Sequence, residues 1–283
     1  MQTINFIYLV GENTPSFSII HYISLKSFAC NNEAKIRLFT NAEPTYSPWY
    51  HRLFSSIKEE QFEVLPLDTI LKVASEKLED FKIYKEILRS IEKPAHKVDL
   101  LRLLLLYAEG GLFSDLDMIC LKKLPENLLS GTKPTYPVEL DFEHHFNAIP
   151  NGFMYHPAGH SWTKKLLELY KNYNSESWNE TSIMKPTELY FENKEQINII
   201  PAGLIDPACW FERDRVDLLM HNQMRFDDSY TFHLSESANH NFLKWVDLEH
   251  IMTVHTTFTH YVRRYVSEYW DHQNYCSKIS KYE

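Results

Sequence analysis

From Ala95 to Glu109 the chain is apolar nearly all round, which reads as a helix buried on every side. Gly110-Gly111 follows at once, the first glycine in the position just past a helix end that favours glycine. Leu112 to Leu121 then alternates like a strand, so Asp115 and Asp117, two residues apart, are expected on one face. The chain has only 7 glycines in 283 residues, so two at a single joint mark a tight turn. A buried helix delivering a strand directly off that turn constrains the fold more than any other segment.

Around this joint, strands and helical stretches alternate. Residues 4–10 read as a first buried strand, 17–29 as an amphipathic stretch, 34–40 as a second strand and 62–67 as a third. Thr69 to Ile91 is helical and charged, ending before Pro94. Asn151 to Tyr155 and Ile197 to Pro201 read as later strands, Trp162 to Tyr173 as a helix. Phe258, Tyr261, Val262, Tyr265, Val266, Tyr269 and Trp270 recur at three-and-four spacing, which predicts a C-terminal amphipathic helix. This alternation predicts an α/β fold with a parallel, doubly wound sheet and a ligand at the carboxyl ends of its strands. No internal repeat or flexible linker marks a boundary, so one domain is expected over residues 1–283.

Composition narrows the function classes. With 44% hydrophobic and 24% charged residues the chain can bury a sizeable core, which excludes disorder, collagen and coiled coil. A net charge of −9 argues against nucleic acid as a partner. Cys30, Cys120, Cys209 and Cys276 form no CxxC pair and are expected as reduced thiols. The apolar start has no basic region and is broken at Gly11, so it reads as a strand and not as a signal peptide. No run approaches the roughly 20 apolar residues of a transmembrane segment. A cytoplasmic location is therefore expected. Peripheral membrane contact through the C-terminal stripe and Arg263-Arg264 is the lesser reading, packing on the domain the preferred one.

Converging carboxylates repel unless a cation sits between them, and hard oxygen ligands suit Mg²⁺ or Mn²⁺. Asp115 and Asp117 are therefore candidate metal or ribose ligands, with a solvated strand face as the bland alternative. Asp99 and Arg102 share one face of the apolar helix, either as an internal ion pair or as contacts to a polar ligand. Glu139, Asp141 and Glu143 alternate on an extended-looking segment, where one could orient an acceptor although a solvated face is preferred. His144-His145 and His156-x-x-x-His160 lack the cysteines or HExxH glutamate of a zinc site. Tyr8, Trp49 and Trp210 could stack on a base, core packing being the safer reading for each.

The pattern Ala95-x-x-x-Asp99-x-x-Arg102-x-x-x-Leu106-Tyr107-x-x-Gly110-Gly111-x-Phe113-x-Asp115-x-Asp117 resembles the sugar-binding, Asp-x-Asp region of retaining glycosyltransferases of family 32. More remotely it is similar to the glucosylating clostridial toxins. A looser match covers Asn151-Gly152-Phe153-Met154-x-x-Pro157-x-Gly159-His160, and a weaker one His233-Leu234. Two departures stand out. Met184-Lys185-Pro186 replaces a common Thr-Gly-Pro, and the loop after His233 has no tryptophan.

The resemblance implies a single-domain type A glycosyltransferase (GT-A) fold, with residues 1–120 as the nucleotide-sugar half and 121–283 as the acceptor half with C-terminal helices. It implies catalytic roles for Asp115 and Asp117, a metal held by Asp117, Asp115 and His233, and Asp99, Arg102 and Asn151 on the donor sugar. Mn²⁺ or Mg²⁺ is the implied cofactor and a UDP- or GDP-linked hexose or N-acetylhexosamine the implied donor, UDP-hexose above the rest. The acceptor would be a glycan or other hydroxyl compound, as in polysaccharide biosynthesis. A non-catalytic glycan- or nucleotide-binding module on the same fold and a Mg²⁺-dependent phosphohydrolase are the alternatives. The latter ranks low because Gly11-Glu12-Asn13 offers no nucleophilic aspartate after the first strand.

Overall fold

The computed structural model describes residues 2–11, 16–141, 143, 145–208 and 211–271. Four sequence readings therefore touch on residues outside the described ones: the Glu12-Asn13 loop, His144, Trp210, and the cysteines Cys209 and Cys276.

The first half alternates as expected: β1 (Thr3–Tyr8), α1 (Ile19–Asn31), β2 (Lys35–Thr40), α2 (Pro48–Ser56), β3 (Phe62–Pro66), α3 (Asp68–Lys77), α4 (Phe81–Ser90) and α5 (Pro94–Glu109). There follow β4 (Gly111–Ser114), β5 (Met118–Cys120), β6 (Thr135–Pro137), β7 (Glu139–Leu140), β8 (Phe146–Ala148), β9 (Phe153–His156) and α6 (Ser161–Leu169). Then come α7 (Lys185–Glu192), β10 (Asn198–Ile200), α8 (Ala202–Ile205), α9 (Glu212–Leu219) and β11 (Thr231–His233). The last helices are α10 (Glu236–Leu243), α11 (Leu248–Thr253) and α12 (Thr257–Val262).

The main sheet runs β10-β6-β9-β4-β1-β2-β3. Its β4-β1-β2-β3 half is parallel, whereas β9 lies antiparallel to both β4 and β6. Period-2 alternation sorts the strand side chains onto two faces. Ile4, Phe6, Ile36, Leu38, Leu112 and Phe153 pack in one core with α1 and α12. Ile7, Phe39, Phe113 and Met154 pack in the other with α3, α5 and α6. Helices thus cover both faces of the sheet.

Helix α5 is buried around nearly its whole circumference, as its sequence requires. Pro94 sits at its start, where a missing N–H costs nothing. Gly110 closes it at φ 72°, and a Cβ there would stand 2.7 Å from the Ala158 nitrogen, so only glycine fits. From there the chain enters β4, beside β1, with the Asn5 side-chain amide donating to Leu112 O at 3.0 Å.

Four expectations need correction. Residues 112–121 do not form one strand, because β4 ends at Ser114 and a turn closed by Met118 N–H on Asp115 O (3.2 Å) leads into β5. Helix α1 is buried all round and not amphipathic, since it is sandwiched between the sheet and the C-terminal residues. Asp141 and Glu143 do not extend the strand of Glu139. The Asp141 carboxylate accepts the Glu143 and His145 amides at 2.9 and 2.8 Å and makes a turn between β7 and β8. The predicted C-terminal helix breaks after Val262 into short 3₁₀ turns. There the Tyr265 hydroxyl donates to Cys120 O at 2.6 Å and Arg263 Nε to Ile251 O at 3.1 Å, tying the segment to the body of the molecule. Phe258, Val262, Tyr265 and Val266 are buried in the core, so this stripe packs inward. No helix among the described residues is long and apolar enough to cross a membrane.

Candidate active site

An open cleft of about 1350 Å³ lies at the ends of β1 and β4, and Asp99, Arg102, Asp115, Asp117, Asn151 and His233 all line it. The two aspartates converge through the turn between β4 and β5 and not through strand alternation. Asp115 leaves β4 with its amide donating to Gly152 O at 2.7 Å, which ties the turn to the start of β9. Asp117 precedes β5, whose antiparallel partner β11 places His233 opposite Met118. A further backbone bond, Leu234 N–H to Asp117 O at 3.0 Å, fixes that register.

One ligand atom each from Asp115, Asp117 and His233 lie within 4.8 Å of one another, the closeness a shared cation needs. His233 Nε2 is 3.1 Å from Asp117 Oδ1, and its Nδ1 is 3.7 Å from Asp206 Oδ2. The other Asp117 oxygen accepts the Glu236 amide at 2.6 Å, at the first residue of α10. Gly152 makes room for the group: a Cβ there would come within 2.8 Å of Asp115 Oδ2 and 3.7 Å of His233 Cε1.

Electrostatics sharpen the picture. Burial, with the Asp117 charge adding to it, pushes Asp115 up to about 6 despite the pull of Arg102. Burial opposes ionisation of Asp117 too. There the His233 charge and hydrogen bond and the Glu236 amide outweigh it and hold the carboxyl down at about 2. Burial likewise opposes a charge on His233, but Asp117 and Asp206 hold its pKa well above the ordinary value. A carboxylate pair under this strain, with an imidazole between acids, is an environment that a divalent cation relieves.

Arg102 joins this cluster to the sugar-site candidates. Its Nη2 lies 3.0 Å from Asp99 Oδ1 and 3.2 Å from Asp115 Oδ1, and its Nη1 donates to Asn151 O. Asn151 Nδ2 donates to the same Asp99 oxygen at 2.7 Å, and the guanidinium lies over the Phe113 ring at 4.5 Å. The two readings of Asp99 and Arg102 thus coincide: they form an ion pair that also faces the cleft.

Other candidates lie elsewhere or act structurally. His156 is fully buried between Thr163 and Tyr136, and His160 caps α6 by accepting the Trp162 amide at 3.1 Å. Among the described residues no second His, Cys, Asp or Glu group has metal-binding closeness. Trp49 packs on Tyr22 and Tyr269 away from the cleft, whereas Tyr8 lines the cleft with its ring edge-on to Phe17. Met184-Lys185-Pro186 leads from a π-helical turn into α7. Sequence reading missed Asp206, an isolated acid after a short helix with no motif around it. It also missed the Glu236 amide, since backbone donors leave no mark in a sequence.

Comparison with known proteins bears on the family and the fold. Residues 29–134 match the family model described as a glycosyltransferase sugar-binding region containing a DXD motif. The chain is 21% identical over 263 residues to Glucan organizing enzyme 1 of Cryptococcus neoformans, covering 90% of this chain and 66% of that protein, about two thirds of its length. Among solved structures, the PaToxG glycosyltransferase aligns at TM-score 0.50 and 19% identity over 68% of this chain and 70% of that one. The ligand-free glycosyltransferase domain of the YGT toxin aligns at TM-score 0.46 and 10% identity, over 69% and 68%. Over residues 29–134 the chain is thus similar to a DXD-containing glycosyltransferase sugar-binding region, and its fold is of the GT-A type that its motifs imply.

Proposed function

We propose that the protein is a metal-dependent retaining glycosyltransferase that moves a hexose or N-acetylhexosamine from a UDP- or GDP-linked donor to a hydroxyl acceptor. The observation that carries this reading is the Asp115–Asp117–His233 cluster opening into the same cleft as the Asp99–Arg102–Asn151 network. Two hard carboxylate oxygens and one imidazole nitrogen fit Mn²⁺ or Mg²⁺. When bound, such an ion supplies Lewis-acid stabilisation of the negative charge that develops on a departing nucleoside diphosphate.

The chain's own residues do the rest. Asp115, Asp117 and His233 would hold the ion, Asp115 being kept in place by its contact with Arg102 and by the bond from its amide to the Gly152 carbonyl. Asp99 and Asn151, already bonded to each other, turn polar atoms toward the hydroxyls of the donor sugar. Transfer breaks the bond from the anomeric carbon to the diphosphate oxygen and forms one to the acceptor oxygen. The acceptor proton passes to the leaving phosphate, so front-face attack with retention needs no nucleophilic carboxylate of the kind found in glycosidases. We take residues 1–283 as one such domain, with 1–120 as the nucleotide-sugar half, to which Asn151 and His233 add donor-side contacts, and 121–283 as the acceptor half.

The test is a screen of UDP- and GDP-sugars for hydrolysis without acceptor. We expect at least one donor to be turned over with Mn²⁺, with activity lost on chelation and restored by Mn²⁺ or Mg²⁺. No turnover of any donor under either ion would leave a binding module in its place.

A further inference from the structure

The cleft continues past the carboxylates along α5. Its lining runs from Lys93 through Ala95 and Val98 to Arg102, a rise of about 13 Å along the helix axis. At the far end stands Trp178, 56% exposed although it lines the cleft. Its indole packs tilted on the His96 ring, centroids 5.3 Å apart, a contact that leaves much of the side chain exposed. His96 itself is fixed, buried with Nδ1 2.6 Å from the Tyr173 hydroxyl. Lining the same cleft are Glu139, Asn147, Asn179 and Glu188, with Asn147 Nδ2 donating to Glu139 Oε1 at 2.6 Å.

We propose that Trp178, with Glu139, Asn147, Asn179 and Glu188, forms a subsite for a neutral pyranose ring of the acceptor. The proposal rests on the glycosyltransferase reading and narrows its acceptor to a neutral saccharide. A pyranose has an apolar face of C–H bonds and a rim of hydroxyls. The C–H edges carry partial positive charge and suit the negative face of an indole. The hydroxyls donate to carboxylates and both give to and accept from amides. A few convergent polar groups around an apolar platform are what a small-ligand site consists of. Charge selects against anionic acceptors. Glu139 and Glu188 set two negative charges against the single ammonium of Lys93, which donates to Ser175 O at 2.8 Å. The two turns of α5 between Trp178 and Arg102 leave room for an acceptor to reach from the subsite to the donor.

The test uses the full chain without donor, so that it is read independently of catalysis. Maltose, cellobiose, laminaribiose and mannobiose are titrated while the tryptophan indole N–H signals are followed by NMR, with Trp178→Phe assigning its peak. We expect at least one disaccharide to shift that peak. By titration calorimetry, Trp178→Ala should weaken the binding about tenfold, Trp178→Phe less, and Glu139→Gln should weaken it, while all three variants keep the wild-type melting temperature. With a saccharide that binds, Trp178→Ala should raise the acceptor KM about tenfold and move the donor KM far less. The proposal is overturned if no neutral saccharide moves the peak, if Trp178→Ala binds as wild type, or if a hydroxyl-bearing peptide binds there instead. Saccharide binding with no metal-dependent donor hydrolysis would sink the catalytic reading and leave the subsite standing.

Discussion

Arg102 touches both halves of the site, Asp99 and Asn151 on one side and Asp115 on the other, so single residues here are tightly coupled. Removing Asn151 takes a hydrogen bond from Asp99 and frees the pair to reorient. We expect Asn151→Ala to lower kcat/KM for donor hydrolysis about tenfold or more, read by steady-state kinetics, with little change in melting temperature. Gly152 lies tight against the Asp115 side chain. Gly152→Ala puts a methyl 2.8 Å from the Asp115 carboxylate, which must swing away. Mn²⁺ affinity measured by calorimetry should fall about tenfold, and unchanged affinity would show that Asp115 is not part of the metal site. Both effects rest on contacts between residues distant in sequence. The motif spacing made Asp99, Arg102, Asp115, Asp117 and Asn151 legible as candidates, whereas Asp206 and the Glu236 amide reach the site only through the fold.

At the scale of elements, α5 carries the argument because burial on all sides leaves it no slack. Leu104 is fully buried in the core that α5 shares with α3 and α6, so Leu104→Ala should cost about 2–5 kcal/mol in denaturant unfolding. The β9–α6 unit adds a pH signature. Burial, with His160 contributing, holds His156 down at about 3 against an ordinary 6.5, so the folded state keeps it neutral. Between those values the unfolded chain binds the extra proton, so stability rises with pH. Unfolding free energy should drop as pH falls below 6.5, by up to about 1.4 kcal/mol per unit from this group. A His156→Gln variant should show a shallower slope, and an identical slope would assign the proton elsewhere. Strong patterns such as α5 and β1 to β3 were legible. The Asp115–Asp117 turn was not, because a two-strand break inside an alternating run leaves the alternation intact. The C-terminal stripe kept helical spacing, yet hydrogen bonds from Tyr265 and Arg263 to distant carbonyls, invisible in sequence, break it into turns.

For the whole molecule, the parallel pairing within β4-β1-β2-β3 was expected from the strand–helix alternation, whereas the strand order and the antiparallel insertion of β9 were not. Short strands buried on both faces carry no directional mark in their sequence. That insertion matters, since it brings Asn151 against Asp99 and Arg102 and Gly152 against Asp115. A chain of net charge −9 repels an anionic donor, so the ion and the donor should bind as a pair. We expect Mn²⁺ and UDP together to raise the melting temperature by more than the sum of each alone, checked by thermal shift; simple additivity would argue for independent sites. The most direct measurement is anomalous diffraction at the manganese edge from crystals grown with Mn²⁺ and a sugar nucleotide. The account predicts a peak within coordinating distance of Asp115, Asp117 and His233, bridging to the diphosphate, and none at that place in an Asp117→Asn crystal. Manganese bound elsewhere, or a diphosphate lying away from those three side chains, would contradict it.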